Sequence, residues 1–177
     1  MRRTSLIVVS ALAALPTATA LAQPPIGPQA GDREVTLAGT GSNDKDFDNG
    51  SFGVSGSFGQ YITDTWQWSI RQSLNWAQIE DADDAWNGST RLALDYNFMP
   101  GNRLRPFVGA NVGFIYGDNV DDTGIAAPEI GLKYYIKPET FLYAQTEYQF
   151  TFEDADEVDD QFDDGSWAHT VGFGINF

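Results

Sequence analysis

Large apolar residues recur at every second position along most of this chain. The clearest stretch is Trp66–Gln78, where Trp66, Trp68, Ile70, Leu74 and Trp76 share one face and only Gln72 breaks it. The residues between them are mostly polar. A period of two is that of a β-strand with one apolar and one polar face.

Eight segments show this alternation and are predicted to be strands. The first two are glycine-rich and less regular than the others. The predicted strands are Arg33–Ser42, Ser51–Ile62, Trp66–Gln78, Trp86–Phe98, Arg105–Tyr116, Gly124–Ile136, Phe141–Phe152 and Ser166–Phe177.

The connections between these strands alternate in length. The second, fourth and sixth are tight turns around Thr63–Thr65, 100–102 and 137–139. The others are longer and acidic: Asn43–Gly50, Ile79–Ala85, Gly117–Thr123 and Glu153–Gly165. Short turns at one end and long loops at the other predict an all-β fold, an eight-stranded antiparallel up-and-down transmembrane β-barrel with its loops outside the cell.

The N-terminal residues are expected to lie outside this barrel. Arg2 and Arg3 precede an apolar run too short to span a membrane as a helix, and a small-x-small site ends at Ala22. We predict a signal peptide over 1–22 with cleavage after Ala22, a flexible Pro- and Gly-rich lead over 23–32, and a barrel over 33–177.

The last strand carries a family resemblance. Trp167–Phe177 places large residues on one face and glycines on the other, and it ends GFGINF on an aromatic residue. This resembles the small eight-stranded outer-membrane β-barrels of Gram-negative bacteria, such as the membrane domain of outer-membrane protein A and the X and W proteins. The resemblance implies an outer-membrane location, contact with outer-membrane lipid and lipopolysaccharide, and a role for Phe177 as the signal read by the assembly machinery. We expect no cofactor, and we expect a monomer.

Charged residues on the polar faces are expected to meet inside the barrel. Three are basic and three acidic: Arg71, Arg91, Lys133, Asp95, Glu129 and Glu147, with Glu34 at the mouth. An eight-stranded barrel is just wide enough for its own side chains to fill it, and unpaired charges there are costly. We predict a salt-bridged interior in which Arg71 or Arg91 pairs with Glu129 or Glu147. A gated ion path or proton relay is the less favoured interpretation.

The remaining acidic residues suggest solvated loops. Without Arg2 and Arg3 the formal charge of −15 becomes −17, which argues against nucleic-acid binding. Asp44, Asp46 and Asp48 have the spacing with which calcium loops begin, but the Gly and Glu that complete such a loop are missing. These residues and the acidic run Glu153–Asp164 are weak candidates for divalent cations. We find no other metal site, and the chain has no cysteine.

His169 is the one histidine and therefore the natural candidate for a catalytic base. Its parity in the last strand points it outward, and Val171 stands where a His-x-Ser arrangement would place a nucleophile. We therefore predict no catalytic residue and no enzyme activity.

These observations favour a non-enzymatic outer-membrane barrel with a structural or surface-interaction role. The alternative is a narrow pore or conduit for ions or small hydrophobic compounds. A soluble periplasmic barrel of the lipocalin type would have to hold all the aromatic residues in one cavity, which argues against it.

Overall fold

A computed structural model describes residues 25–44, 50–77, 85–117, 120–152 and 165–177. All eight predicted strands are present, with ends within a few residues of those expected. They are β1 (Arg33–Asp44), β2 (Gly50–Tyr61), β3 (Trp66–Ala77), β4 (Ala85–Asn97), β5 (Leu104–Gly117), β6 (Val120–Tyr135), β7 (Thr140–Phe152) and β8 (Ser166–Asn176). No helix among the described residues is long and apolar enough to cross a membrane.

The strands form a closed antiparallel barrel in chain order. β8 pairs with β1 from Glu34 opposite Asn176 to Asp44 opposite Ser166. Beyond this ladder, the backbones of Arg33 and Phe177 exchange two hydrogen bonds of 2.8 and 2.9 Å. Closure leaves no strand edge unpaired, which is what a sheet in hydrocarbon requires. The predicted fold class is confirmed.

The two faces of the barrel follow the alternation of the sequence. Large apolar side chains point outward and are exposed, among them Val171 at 68% and Phe114 at 66%. Most buried residues are polar or charged. Among the described residues, Ala38, Tyr135, Phe141 and Tyr143 form a small buried apolar cluster. The outer surface is therefore the apolar one, as in a barrel surrounded by lipid.

The hairpin between β5 and β6 differs from the expectation of a long acidic loop over Gly117–Thr123. β5 continues to Gly117 and β6 begins at Val120, with Gly117 paired to Val120 and a bulge between Ile115 and Gly117. The prediction was wrong because acidic residues do not exclude a strand. Backbone pairing tolerates polar residues wherever a strand extends into water.

The seam between β6 and β7 is interrupted. Ala126 pairs with Phe150 and Glu129 with Glu147, but Ala127 and Pro128 have no partners on β7. On the other side of β6, Pro128 still pairs with Ala110. Proline has no N–H to donate, so it removes a ladder hydrogen bond. The interruption is thus a consequence of Pro128.

Residues 25–32, which we call the strap, fold against the end of the barrel that carries the short turns. Gly27 N donates to Pro138 O at 2.8 Å, Ala30 N to the Asp64 carboxylate at 2.9 Å and Gly31 N to Tyr61 O at 2.8 Å. Ile26 packs against the buried aromatic cluster. This differs from the flexible lead expected from the Pro and Gly content, because backbone hydrogen bonds to the turns leave no mark in the sequence.

Candidate functional site

The centre of the lumen is organised by Arg71, which projects inward from β3. Its two terminal nitrogens each donate to one carboxylate oxygen of Glu129 at 2.7 Å, and Nη2 also donates to Asp95 at 2.8 Å. A planar guanidinium holding a carboxylate by two parallel hydrogen bonds is the strongest geometry available to such a pair. Arg71 therefore links β3, β4 and β6 across the interior.

A second ion pair lies beside the first. Arg91 on β4 donates to Glu147 on β7. Asn111 joins the two pairs, because its amide donates to Glu129 at 2.6 Å and to Glu147 at 2.9 Å. Arg71 and Arg91 are direct cross-strand neighbours, an arrangement that like charges normally disfavour. Each of them instead has its own carboxylate on the far wall.

A third cluster lies toward the turn end. Lys133 donates to both oxygens of Glu34 at 2.8 Å, to Gln67 at 2.9 Å and to the Tyr61 hydroxyl at 3.0 Å. Glu34 also accepts from Asn176 at 2.9 Å. The sequence placed Glu34 at the mouth of the barrel. It is instead 3% exposed, because the strap and turns extend beyond it.

Arg105 is an interior charge that the sequence reasoning missed. It is fully buried and donates to Asp64 O at 2.6 Å, while its Nε and Nη1 have no hydrogen-bond partner among the described residues. Arg105 is an even number of residues from Phe107 and Asn111, so the alternation places it on the inward face. It was missed because it lies at the start of a strand, where a charged residue is usually solvated. With Glu34 and Arg105 included, four cations face four carboxylates in the described interior.

Little space remains between these side chains. The central cavity measures about 30 Å³ and is lined by residues of all three clusters, among them Glu34, Arg71, Arg91 and Lys133. Above it, toward the loop end, a vestibule of about 200 Å³ is lined mainly by Ser, Thr, Asn and Gln side chains. The arrangement neutralises charge and fills the centre of the lumen, and the vestibule between the described residues reaches inward as far as Arg91.

The other predicted site residues lie apart from this core. His169 is exposed on the outer face and its Nδ1 lies 3.0 Å from the Thr146 hydroxyl. Asp44 ends β1, whereas Asp46, Asp48 and Glu153–Asp164 lie outside the described residues, as does the cleavage site at Ala22. The Phe177 side chain is 61% exposed. Among the residues that the structure describes, no group of three or more metal-binding side chains is found.

A family model for the outer membrane protein β-barrel domain matches residues 4–177. The chain belongs to this outer-membrane β-barrel family. It is located in the outer membrane of Gram-negative bacteria, in contact with the lipids there. No match is found among curated proteins.

Solved structures share the fold of this outer-membrane barrel. It is similar to OprG from Pseudomonas aeruginosa, with a TM-score of 0.63 and 14% identity over 85% of this chain and 98% of that one. The N-terminal barrel domain of OprF from the same organism has a TM-score of 0.60 and 25% identity, over 85% of this chain and 100% of that one. Neisserial surface protein A has a TM-score of 0.61 and 15% identity, over 82% of this chain and 96% of that one. Every one of these covers most of both chains, so the likeness extends to the whole barrel.

Proposed function

We propose that this outer-membrane barrel is a sealed, non-enzymatic protein with a structural or surface-interaction role. The observation that supports it is the ionic core, in which Arg71, Arg91 and Lys133 each hold a carboxylate across the lumen. The acidic loops expected at the outer end would provide the contact surface. His169 lies on the outer face, where its described hydrogen bond is to the Thr146 hydroxyl, and Val171 stands where a His-x-Ser arrangement would place a nucleophile.

The energetics of the core favour a closed lumen. Breaking a buried ion pair by removing its partner typically costs about 3–5 kcal/mol. An ion that passes the centre would have to separate Arg71 from Glu129 or Arg91 from Glu147. It would also break a hydrogen bond that Asn111 donates to these carboxylates, and it offers no donor in return. We therefore expect open states to be rare at equilibrium.

Conductance in planar bilayers tests this proposal. The purified wild-type protein is expected to give no steady current. The double variant Arg91→Ser with Glu147→Ser removes one complete pair and widens the lumen below the vestibule, so discrete conductance steps are expected. Leu92→Ala, which changes an outward side chain on the same strand, serves as the control. Steady single-channel current from the wild type would contradict a sealed lumen.

The interrupted β6–β7 seam favours a second candidate function, a conduit for small hydrophobic compounds. Ile125 and Gln149 line the vestibule, and the unpaired Ala127 and Pro128 follow Ile125 closely on β6. A solute entering from the loop end would meet a weakened wall there. Pro128→Val restores an N–H donor to this seam. If the conduit operates, this variant slows uptake of a fluorescent hydrophobic probe into proteoliposomes, whereas a sealed barrel shows no uptake in either form.

A further inference from the structure

Three polar side chains lie together on the outward face of the barrel, where apolar residues are the rule. They are Gln72 on β3, Thr90 on β4 and Tyr116 on β5, here called the Gln72 cluster. Thr90 Oγ1 donates to Gln72 Oε1 at 2.8 Å, and Gln72 Nε2 donates to the Tyr116 hydroxyl. Gln72 is the residue that breaks the apolar face of β3. Polar groups on a lipid-facing surface are costly unless they find partners.

The Gln72 cluster adjoins an apolar groove on the same outer face. This groove, which we call the β4–β6 groove, has a volume of about 500 Å³. Thr90 belongs to both, since it also lines the groove. Phe114 and Phe152 lie on either side of Gly124, to which both are paired across the sheet. The other outward side chains that line it are Ile70, Leu92, Val112 and Ala126.

The cluster lies in the outer half of the membrane-spanning wall, and the groove extends from it to the middle of β3 and β4. Thr90 is in the first half of β4, which starts at the loop end, and Tyr116 is the second-last residue of β5, which ends there. Tyrosine is enriched at the membrane interface, where its hydroxyl meets the polar region and its ring the hydrocarbon. The cluster is therefore placed where the polar linkages of outer-leaflet lipids lie, and the groove extends from it among the acyl chains.

We propose that the β4–β6 groove binds one acyl chain of lipid A and that the Gln72 cluster holds the carbonyl or hydroxyl group at the head of that chain. A primary amide has two N–H donors, so Gln72 can donate to Tyr116 and to a lipid carbonyl at the same time. Lipid A is the occupant we choose because the groove opens to the outer leaflet and its acyl chains carry ester, amide and hydroxyl groups near the head. The proposal needs the outer-membrane location but is independent of whether the lumen conducts.

Native mass spectrometry of the full barrel in detergent tests this proposal, with purified lipid A as the probe. The wild type is expected to retain one lipid A molecule. Gln72→Leu removes the hydrogen bond while keeping an apolar surface, and a loss of about fivefold in lipid A affinity is expected for such a bond in a membrane. Ala126→Phe fills the groove and is expected to abolish retention.

Two variants at outward positions of β7 that line neither the Gln72 cluster nor the β4–β6 groove serve as matched controls. Thr146→Val removes an outward hydrogen-bonding group, and Ala144→Phe adds an outward ring. Both are expected to bind lipid A like the wild type, and faster gel migration of unboiled samples verifies that all four variants are folded. Undiminished lipid A binding in Gln72→Leu and Ala126→Phe would overturn the proposal. Equal retention of phosphatidylethanolamine by the wild type would also overturn it, because the site would then be one for any lipid.

Discussion

At the scale of single residues, the interior is stabilised because Arg71, Arg91 and Lys133 are each matched to a carboxylate on another wall. Arg71 and Arg91 are direct neighbours on β3 and β4, but they reach Glu129 on β6 and Glu147 on β7. A buried charge that loses its partner keeps its desolvation cost and loses its compensation. Removing one interior charge is thus expected to lower the free energy of unfolding far more than a change on the lipid face does.

The pair of Arg91 and Glu147 allows this to be measured. Glu147→Ala leaves Arg91 buried without its carboxylate and is expected to lower the free energy of unfolding by about 3–5 kcal/mol. Urea unfolding of the detergent-solubilised barrel, followed by tryptophan fluorescence, provides the measurement. Glu139→Ala, at an exposed turn, is the control and is expected to change stability by less than about 0.5 kcal/mol. A loss for Glu147→Ala no larger than this would mean that the pair contributes nothing.

The alternation in the sequence assigns side chains to the lumen but cannot assign their partners. It places Arg71, Arg91 and Glu129 on the polar face, and the structure has each of them within the lumen. It cannot show that Lys133 pairs with Glu34, because these residues lie on β6 and β1, which are not adjacent in the sheet. Contacts across a lumen depend on strand tilt and side-chain length. The alternation of apolar and polar residues gives no information about either.

At the scale of elements, glycines and aromatic residues are matched between neighbouring strands. Phe107 on β5 lies opposite Gly131 on β6, and Phe141 on β7 lies opposite Gly174 on β8. A Cβ at either glycine would come within 2.3 Å of the facing ring. The small face of the closing strand is therefore required by the aromatic residue beside it, in addition to any role in membrane assembly.

The strap is the element that the sequence predicts least well, because hydrogen bonds to turns distant in the chain hold it in place. Gly27 has a φ of 79°, and a Cβ there would lie 2.6 Å from Arg105 Nη1. Gly27→Val is therefore expected to detach the strap while leaving the strands intact. Hydrogen exchange of the strap amides should rise at least tenfold in this variant. Gly101→Val, at a turn glycine with open space around it, is the control and should leave the strap protected.

At the scale of the whole molecule, the distribution of polarity is the reverse of that in a water-soluble protein. Leu37, Val112 and Phe173 are among the exposed residues, whereas Asn97, Arg105 and Glu147 are almost completely buried. The mean hydropathy of −0.30 conceals this, because half of each strand faces a polar interior. Eight alternating segments with alternating loop lengths were enough to predict the fold, while the vestibule and the interrupted seam depend on how the strands pack around the lumen and could not be predicted.

This inverted distribution predicts a barrel that persists in detergent. After extraction, the unboiled protein is expected to migrate faster on a denaturing gel than the boiled protein, because the closed sheet stays compact until it is heated. A boiled sample of the same preparation is the internal reference. Identical migration, together with partition into the aqueous phase, would contradict a membrane-embedded barrel.

Barrel closure also determines the order in which the sheet can form. Seven of the eight strand pairs join consecutive strands, which are close in sequence, but the pairing of β1 with β8 joins residues as distant as Glu34 and Asn176. Bringing distant segments together costs more chain entropy than closing a hairpin, and such contacts slow folding. We therefore expect the seam between Arg33 and Phe177 to form last, and we expect its closure to limit the folding rate of the protein.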